Sequence, residues 1–122
     1  MYKRQVYVDL GVGERMEGPS AVREFVAGME PHFSSDYRFV LGDVLVAGDA
    51  YVAEWTMSGT HDGADEQRGL PATGHRFEIP GVSVGRLRDG KIAQNKDYYN
   101  LASFLMQVGL MPAPETAPSP SA

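Results

Sequence analysis

Cysteine is missing from this chain of 122 residues. Its absence excludes disulfides, thiolate nucleophiles and thiolate metal sites, and it is compatible with a reducing compartment, so we predict a cytoplasmic location. Basic residues are also few, since 11 Lys and Arg stand against 16 Asp and Glu. The net charge of −5 argues against a nucleic-acid partner. No apolar run approaches the roughly 20 residues of a membrane-spanning helix, so we expect no membrane partner.

Composition otherwise describes an ordinary globular protein, with 43% hydrophobic and 22% charged residues. The three histidines and the acidic residues show no spacing typical of metal ligands, so we predict no metal. Residues 113–122 are rich in Pro, Ala and Ser, which is typical of a disordered tail. We therefore predict a single domain over residues 1–112, followed by that tail.

Hydrophobic periodicity and turn residues predict an α+β domain with a curved, mainly antiparallel sheet and packed helices. Asp89-Gly90 is a strong hairpin signal, because its tight turn needs positive φ. The predicted elements, in chain order, are a strand at Val6–Val8, a glycine-rich loop at Gly11–Gly18, a helix at Pro19–Met29, a hairpin of Tyr37–Ala47 and Ala50–His61, a polar loop at Asp62–Gly74, a hairpin of Phe77–Arg88 and Lys91–Tyr99, and a helix from Leu101 to the stop at Gly109 and Pro112.

Asp97 is the candidate catalytic residue, because it is an acid placed where the last strand meets the last helix. A two-residue turn at Asp89-Gly90 would pair Val82 with Asp97 and Val84 with Asn95, so all four would share one sheet face. A carboxylate among valines loses hydration, which suits proton transfer. A single bulge would reverse this assignment. The simpler alternative is that Asp97 only caps the following helix.

The same pairing applied to the other hairpin predicts one bulky, nearly uncharged face that forms the concave wall of the sheet. His61 continues this face and is the second candidate catalytic residue; the simpler alternative is a solvated residue before a turn. A carboxylate on one wall and a tryptophan on the other suggest a small-molecule pocket. The candidate substrate-binding residues are Trp55, Met57, Val82, Val84, Asn95 and Tyr51; Val40, Gly42, Val44 and Val46 are predicted to share the concave face.

Five motifs in order resemble one family: E-W-T-M-S-G-T-H-D-G at 54–63, G-L-P-A-T-G at 69–74, D-G-K-I at 89–92, D-Y-Y-N at 97–100 and F-L-M-Q-V-G-L-M-P at 104–112. Together they look like the SnoaL-like polyketide cyclases of the nuclear transport factor 2-like superfamily. The resemblance implies a cone-shaped α+β barrel, usually dimeric, with a deep hydrophobic cavity and no cofactor. It also implies that an aspartate at the position of Asp97 moves a proton during an intramolecular aldol closure.

This sequence differs from two groups of relatives at residues that their reactions need, so those two activities are less favoured here. Epoxide hydrolases of the superfamily place an arginine and a second aspartate where Trp55 and Met57 stand here, so epoxide hydrolysis is less favoured. Isomerases related to ketosteroid isomerase need a tyrosine on an early helix, and this chain runs from residues 1–5 directly into its first strand. We therefore predict that residues 1–5 are an appended segment and that the family's opening helices are missing.

Two function classes follow from these observations. The first is a cofactor-free enzyme that performs acid/base chemistry on a hydrophobic carbonyl substrate, and the second is a non-catalytic binding or dimerisation module of the same fold. We also predict a homodimer, because apolar side chains remain on the outer sheet face. These are Leu41, Leu45, Val52, Leu87 and Ile92.

Overall fold

The computed structural model describes residues 6–9 and 13–112. Our predictions for residues 1–5 and for the tail at 113–122 lie outside the described residues. The described elements are β1 (Val6–Asp9), β2 (Glu14–Glu17), α1 (Gly18–His32), β3 (Arg38–Ala47), β4 (Ala50–Thr60), β5 (Arg76–Arg88), β6 (Lys91–Tyr99) and α2 (Leu101–Gln107).

The six strands form one mixed sheet in the order β2-β1-β6-β5-β4-β3. Only the contact between β1 and β6 is parallel among these pairings. The sheet curls without closing, and the predicted α+β cone fold is confirmed. None of the helices in the described part of the chain is long and apolar enough to cross a membrane.

The predicted glycine-rich loop is wrong over Glu14–Glu17, which form β2. Gly13 turns the chain with a φ of 75°, and β2 then pairs antiparallel with β1. Four residues give too short a stretch for alternation to be recognised, so the backbone pairing with β1 decides the structure here.

Turn and cap residues set the other boundaries close to their predicted positions. Asp89 and Gly90 have φ values of 51° and 74°, as the tight hairpin turn requires. The side chain of Asn100 accepts a hydrogen bond from the backbone N–H of Ser103 at 2.9 Å and so caps α2. Gly109, with a φ of 80°, ends that helix.

The hydrophobic core lies between α2 and strands β4 and β5. Its buried members are Met57, Phe77, Ile79, Phe104 and Val108. The ring of Phe33, at the end of α1, packs at a tilt against Phe77 and Phe104, with centroid distances of 5.1 and 5.4 Å. This core closes one stretch of the concave face and leaves the part nearer β1 and β3 for a cavity.

A bulge in β6 overturns the predicted pairing of the last hairpin. The pairs next to the turn are as predicted, but the register shifts between Arg86 and Leu87 and leaves Ala93 as the extra residue. Asp97 therefore pairs with Ser83, and Asn95 with Gly85. The predicted pairs of Val82 with Asp97 and of Val84 with Asn95 are wrong, because one extra residue reverses strand parity.

A second irregularity interrupts β3, where Gly42 and Asp43 have no partner on β4. Beyond it Leu41 pairs with Trp55, so Leu41 belongs to the concave face and not to the outer one. Val40 moves to the outer face for the same reason, against the prediction. The predicted concave face of β4, which includes Tyr51 and Trp55, keeps its alternation along the strand.

Candidate functional site

Asp97 lies at the centre of a hydrogen-bond network on the concave face. Its Oδ1 accepts hydrogen bonds from the hydroxyl of Ser83 at 2.6 Å and the amide of Asn95 at 2.8 Å. Its Oδ2 accepts a hydrogen bond from the hydroxyl of Tyr7 on β1. All three donors are neutral, so they solvate the carboxylate without cancelling its charge.

Two aromatic side chains of β4 orient the two donors on Oδ1 through hydrogen bonds. Tyr51 donates from its hydroxyl to Asn95 Oδ1 at 2.6 Å, which fixes the amide so that its N–H₂ faces Asp97. The indole N–H of Trp55 donates to Ser83 Oγ at 2.9 Å, which leaves the serine hydrogen for Asp97. Each donor on Oδ1 is thus oriented by a second hydrogen bond.

Glycines on β5 make room for both rings. A Cβ added to Gly81 would lie 2.2 Å from Trp55 Cη2, and one added to Gly85 would lie 2.1 Å from Tyr51 Cζ. The two rings cross β5 at its glycines, and this brings their polar atoms within reach of Ser83 and Asn95. Close approach, and not backbone conformation, requires glycine here.

Burial keeps the phenols of the site in their protonated, donating form. It is the largest cause that raises the pKa of Tyr7 above its usual value, and the charge of Asp97 acts in the same direction. Burial, followed by the charge of Asp97, also raises the pKa of Tyr51. Both hydroxyls therefore stay hydrogen-bond donors at neutral pH.

A cavity of about 410 Å³ opens beside this network. Asp97, Asn95 and Ser83 form its polar wall. Its remaining lining is mainly apolar and comes from Tyr7, Val22, Phe39, Leu41, Trp55 and Ile92. Mostly apolar walls with a few convergent polar groups are typical of small-molecule sites. A larger groove of about 520 Å³, which includes Glu54, Val82 and Tyr98, lies on the outer face.

The structure brings together four of the residues predicted for the site. Asp97, Asn95, Tyr51 and Trp55 are linked through hydrogen bonds, with Ser83 between Trp55 and Asp97. Val82 and Val84 lie on the opposite sheet face, as a consequence of the bulge in β6. Met57 faces the hydrophobic core, where it is 7% exposed.

His61 lies away from Asp97, among the aromatic rings of the core. It is 1% exposed, its Nδ1 is 3.1 Å from Thr73 Oγ1, and its ring meets that of Phe104 edge-on at 5.4 Å. The residue of β4 opposite Ser83 is Ala53, eight positions before His61, which is roughly 25 Å of strand. Burial lowers the pKa of His61, which keeps the ring neutral.

Sequence reasoning missed Tyr7 and Ser83. Tyr7 lies on the first predicted strand, and its place beside Asn95 on β6 follows from the parallel pairing of β1 with β6. Ser83 could not be found, because its position opposite Asp97 depends on the bulge. The residues described in the structure hold no cluster of three or more His, Asp or Glu that could bind a metal ion.

The fold and the site together define a small α+β protein with a hydrogen-bonded carboxylate in the wall of a mainly apolar cavity. A family model for the SnoaL-like polyketide cyclases matches residues 4–108. The chain belongs to this family, as its motifs predicted. No curated protein matches it.

Two solved structures support the same assignment, and a third shares the fold. A putative polyketide cyclase from Xanthomonas campestris pv. campestris is 31% identical, with a TM-score of 0.70, over 88% of this chain and 78% of that one. A putative polyketide cyclase from Pseudomonas putida is 30% identical, with a TM-score of 0.70, over 88% and 79%. A Catenulispora acidiphila protein with a ketosteroid isomerase-like fold, solved with trimethylamine, is 24% identical, with a TM-score of 0.78, over 90% and 77%.

Proposed function

We propose that the protein is an enzyme of the polyketide cyclase type, in which Asp97 performs acid/base chemistry on a hydrophobic carbonyl compound. The observation that carries this proposal is a carboxylate in a mainly apolar cavity with three neutral donors, two of which are oriented by a second hydrogen bond. An ionised carboxylate has about four acceptor positions. The described residues use three of them, two on Oδ1 and one on Oδ2, so within the described structure Oδ2 keeps one position for a proton from a substrate.

The proposed reaction is an intramolecular aldol closure. Asp97 takes a proton from the acidic carbon between two carbonyl groups, and the resulting enolate carbon forms a bond to a second carbonyl carbon of the same molecule. The oxygen of that carbonyl becomes an alkoxide, which takes the proton back from Asp97. Protons and electrons balance within the substrate, so neither an oxidant nor a reductant is needed.

Tyr7 has a second role in this scheme, because its ring lines the cavity. Once Asp97 has taken up the substrate proton, its Oδ2 is a weaker acceptor. The Tyr7 hydroxyl is then available to donate to the developing enolate oxygen, where an oriented donor in an apolar site lowers the barrier. Ser83 and Asn95 keep the carboxyl group in place throughout.

The test is turnover of aromatic and polycyclic β-keto esters, followed by chromatography and mass spectrometry of the cyclised product. Asp97→Asn keeps the shape and removes the proton acceptor, so turnover should fall by roughly 100-fold to 10,000-fold. Asp89→Asn makes the same chemical change in the β5–β6 turn and should leave turnover unchanged. Wild-type turnover in Asp97→Asn would refute the mechanism.

A binding module is the second candidate, and the lining of the cavity favours it for a particular ligand class. The rings of Tyr7, Phe39 and Trp55 line the same cavity as the Asp97 carboxylate. Aromatic faces and a carboxylate together suit an alkylammonium cation, and the Catenulispora protein was solved with trimethylamine. Calorimetry with trimethylamine hydrochloride, and with neutral tert-butanol as the uncharged control, distinguishes a binding module from an enzyme. A binding module should bind the cation, lose it in Asp97→Asn, and show no turnover.

We also propose a homodimer through the outer sheet face. Its exposed apolar side chains include Val40, Leu45, Val84 and Tyr98, with exposures of 52%, 69%, 38% and 45%. Of the residues predicted for this patch, Leu41 and Ile92 instead line the cavity. Sedimentation velocity at micromolar concentration should show a dimer that Leu45→Glu weakens. A monomer at that concentration would refute the proposal.

A further inference from the structure

The strand β3 lies at one end of the sheet, so only one of its two edges is paired in the described part of the chain. It pairs with β4, and no further described strand follows it in the sheet order. All ten of its residues, Arg38–Ala47, are exposed. An open strand edge presents a row of unpaired backbone N–H and C=O groups, to which another extended chain can add through backbone hydrogen bonds.

The composition of β3 gives this edge little protection. Proteins usually shield an edge strand by short length, by charges or by proline. β3 has ten residues and no proline, and its charged residues are Arg38 and Asp43. Its large apolar side chains point to both faces of the sheet, so a partner has to cover both faces as well as the edge, which a second strand does. These side chains are Phe39, Leu41, Val44 and Val46 on the concave face and Val40 and Leu45 on the outer face.

The cavity beside Asp97 is open along the same edge. Phe39 and Leu41 line it, yet they are 49% and 66% exposed. Small-molecule sites bury most of the surface of their ligand, so the lining of a complete site is itself mostly buried. A strand added beside β3 would continue the concave wall next to these two residues. The cavity is therefore incomplete at the place where the sheet edge is unpaired.

The bulge in β3 decides which residues of two copies can face each other. Leu41 and Val44 both lie on the concave face, because their partners on β4 are two positions apart while Gly42 and Asp43 are unpaired. The bulge thus shifts the alternation of side chains between the first and second halves of the strand. Two antiparallel copies keep their faces aligned along the whole strand only when residues before the bulge pair with residues after it.

One register of this kind pairs β3 with itself along its full length. It is twofold symmetric, as a homodimer interface requires, and the two bulges meet at the symmetry axis. Val40 then lies opposite Leu45 of the partner subunit on the outer face. Phe39 lies opposite Val46 of the partner subunit on the concave face. Cross-strand pairs of large apolar side chains stabilise antiparallel strands, so the sequence of β3 is complementary to itself.

We propose that β3 is a self-pairing edge, through which two copies of this chain form a twofold dimer with one continuous sheet. The partner subunit adds apolar side chains beside Phe39 and Leu41, and so contributes to the wall of the cavity. This interface uses the edge of the sheet, whereas the dimer proposed above uses its outer face. It does not rest on the proposed function, because the pairing is measured without a substrate.

The experiment uses disulfides to read the register, since the chain has no cysteine of its own. Two double variants are made, Phe39→Cys/Val46→Cys on the concave face and Val40→Cys/Leu45→Cys on the outer face. Directly opposed residues of antiparallel strands have Cα atoms about 4.5–5.5 Å apart, within the range of a disulfide. Within one chain the two cysteines are roughly 13 Å or more apart, too far to bridge.

Both double variants should convert most of the protein to a covalent dimer under mild oxidation at micromolar concentration, seen on a non-reducing gel. Cleavage at aspartate separates residue 39 from residue 46, because Asp43 lies between them. Mass spectrometry should therefore find the peptide that contains residue 39 joined to the one that contains residue 46. Phe39→Cys alone should stay monomeric on the gel, because its two copies would lie roughly 20 Å apart.

The concave pair decides between the two dimers, because a contact through the outer face cannot bring Phe39 and Val46 together. Cross-linking of the outer pair without the concave pair overturns the proposal. Equal cross-linking of Phe39→Cys alone, or of Phe39→Cys/Leu45→Cys on opposite faces, also overturns it, because the contact would then lack the register. No cross-link in any variant overturns it in favour of another occupant of the edge. All substituted positions are exposed, and circular dichroism checks that each variant folds.

Discussion

Gly85→Ala should be strongly destabilising, although alanine is normally the better residue in a strand. The backbone of Gly85 is not in the left-handed region, so conformation alone would favour the substitution. The obstacle is the ring of Tyr51, whose Cζ and Oη would lie 2.1 and 2.2 Å from the new methyl group. Carbon atoms in contact prefer about 3.5–4.0 Å, so the ring must move by more than 1 Å.

The cost has two parts that the structure allows us to estimate. Overpacking of a close contact typically costs about 1–3 kcal/mol. A displaced ring also loses the hydrogen bond from its hydroxyl to Asn95, at 2.6 Å, which contributes about 1 kcal/mol net. The free energy of unfolding should therefore fall by about 2–4 kcal/mol, measured by urea denaturation.

Gly28→Ala is the matched control for this substitution. Gly28 lies inside α1, where the nearest atom to an added Cβ is His32 Cδ2 at 3.7 Å, an ordinary contact. There the same change should stabilise the protein by about 0.5–1 kcal/mol. In a Tyr51→Ala background Gly85→Ala should become nearly neutral, because the obstructing ring is gone. Equal stability of Gly85→Ala and wild type, or a full cost without the ring, would refute the explanation.

Three further predictions concern stability. Burial lowers the pKa of His61, so the unfolded chain takes up a proton at a higher pH than the folded one. Unfolding free energy should fall as pH drops below about 6.5, and a His61→Gln variant with the same slope would contradict this. Asn100→Ala removes the α2 cap and should cost about 1 kcal/mol by thermal or urea unfolding, whereas an uncapped helix would show no change. Ile79→Val, at 0% exposure, should cost about 0.5–1.5 kcal/mol by urea denaturation, and no loss would mean a poorly packed core.

The sequence predicted the long elements because strong local signals marked their ends. Asp89-Gly90 defined one hairpin through its need for positive φ, and Gly109 marked the end of α2. The strand β2 carried no such signal, since it is four residues long and exists through its pairing with β1. Pattern and turn residues also placed Asp97 at the junction of β6 and α2, whereas the family motifs added the cone shape of the barrel and the expectation of a proton-transfer role for Asp97.

The candidate site was predicted only in part, because an error of one residue in register assigns the rest of a strand to the wrong sheet face. One extra residue at Ala93 exchanged Val82 for Ser83 as the partner of Asp97. Alternation of side chains cannot locate such a bulge when both faces carry mixed polar and apolar residues. Residues whose roles did not depend on the register across strands, such as Tyr51 and Trp55 on β4, kept their predicted face.

The bulge changes the chemistry of the site as well as its geometry. Without it Asp97 would lie opposite a valine, and its neighbours on β5 would offer no donor. The pairing of β5 with β4 places Ser83, Gly81 and Gly85 on the concave face whether or not the bulge is present. The bulge brings Asp97 and Asn95 to that same face, where Ser83 donates to Asp97. The one-residue shift therefore joins the carboxylate to donors that Trp55 and Tyr51 already orient across the two glycines.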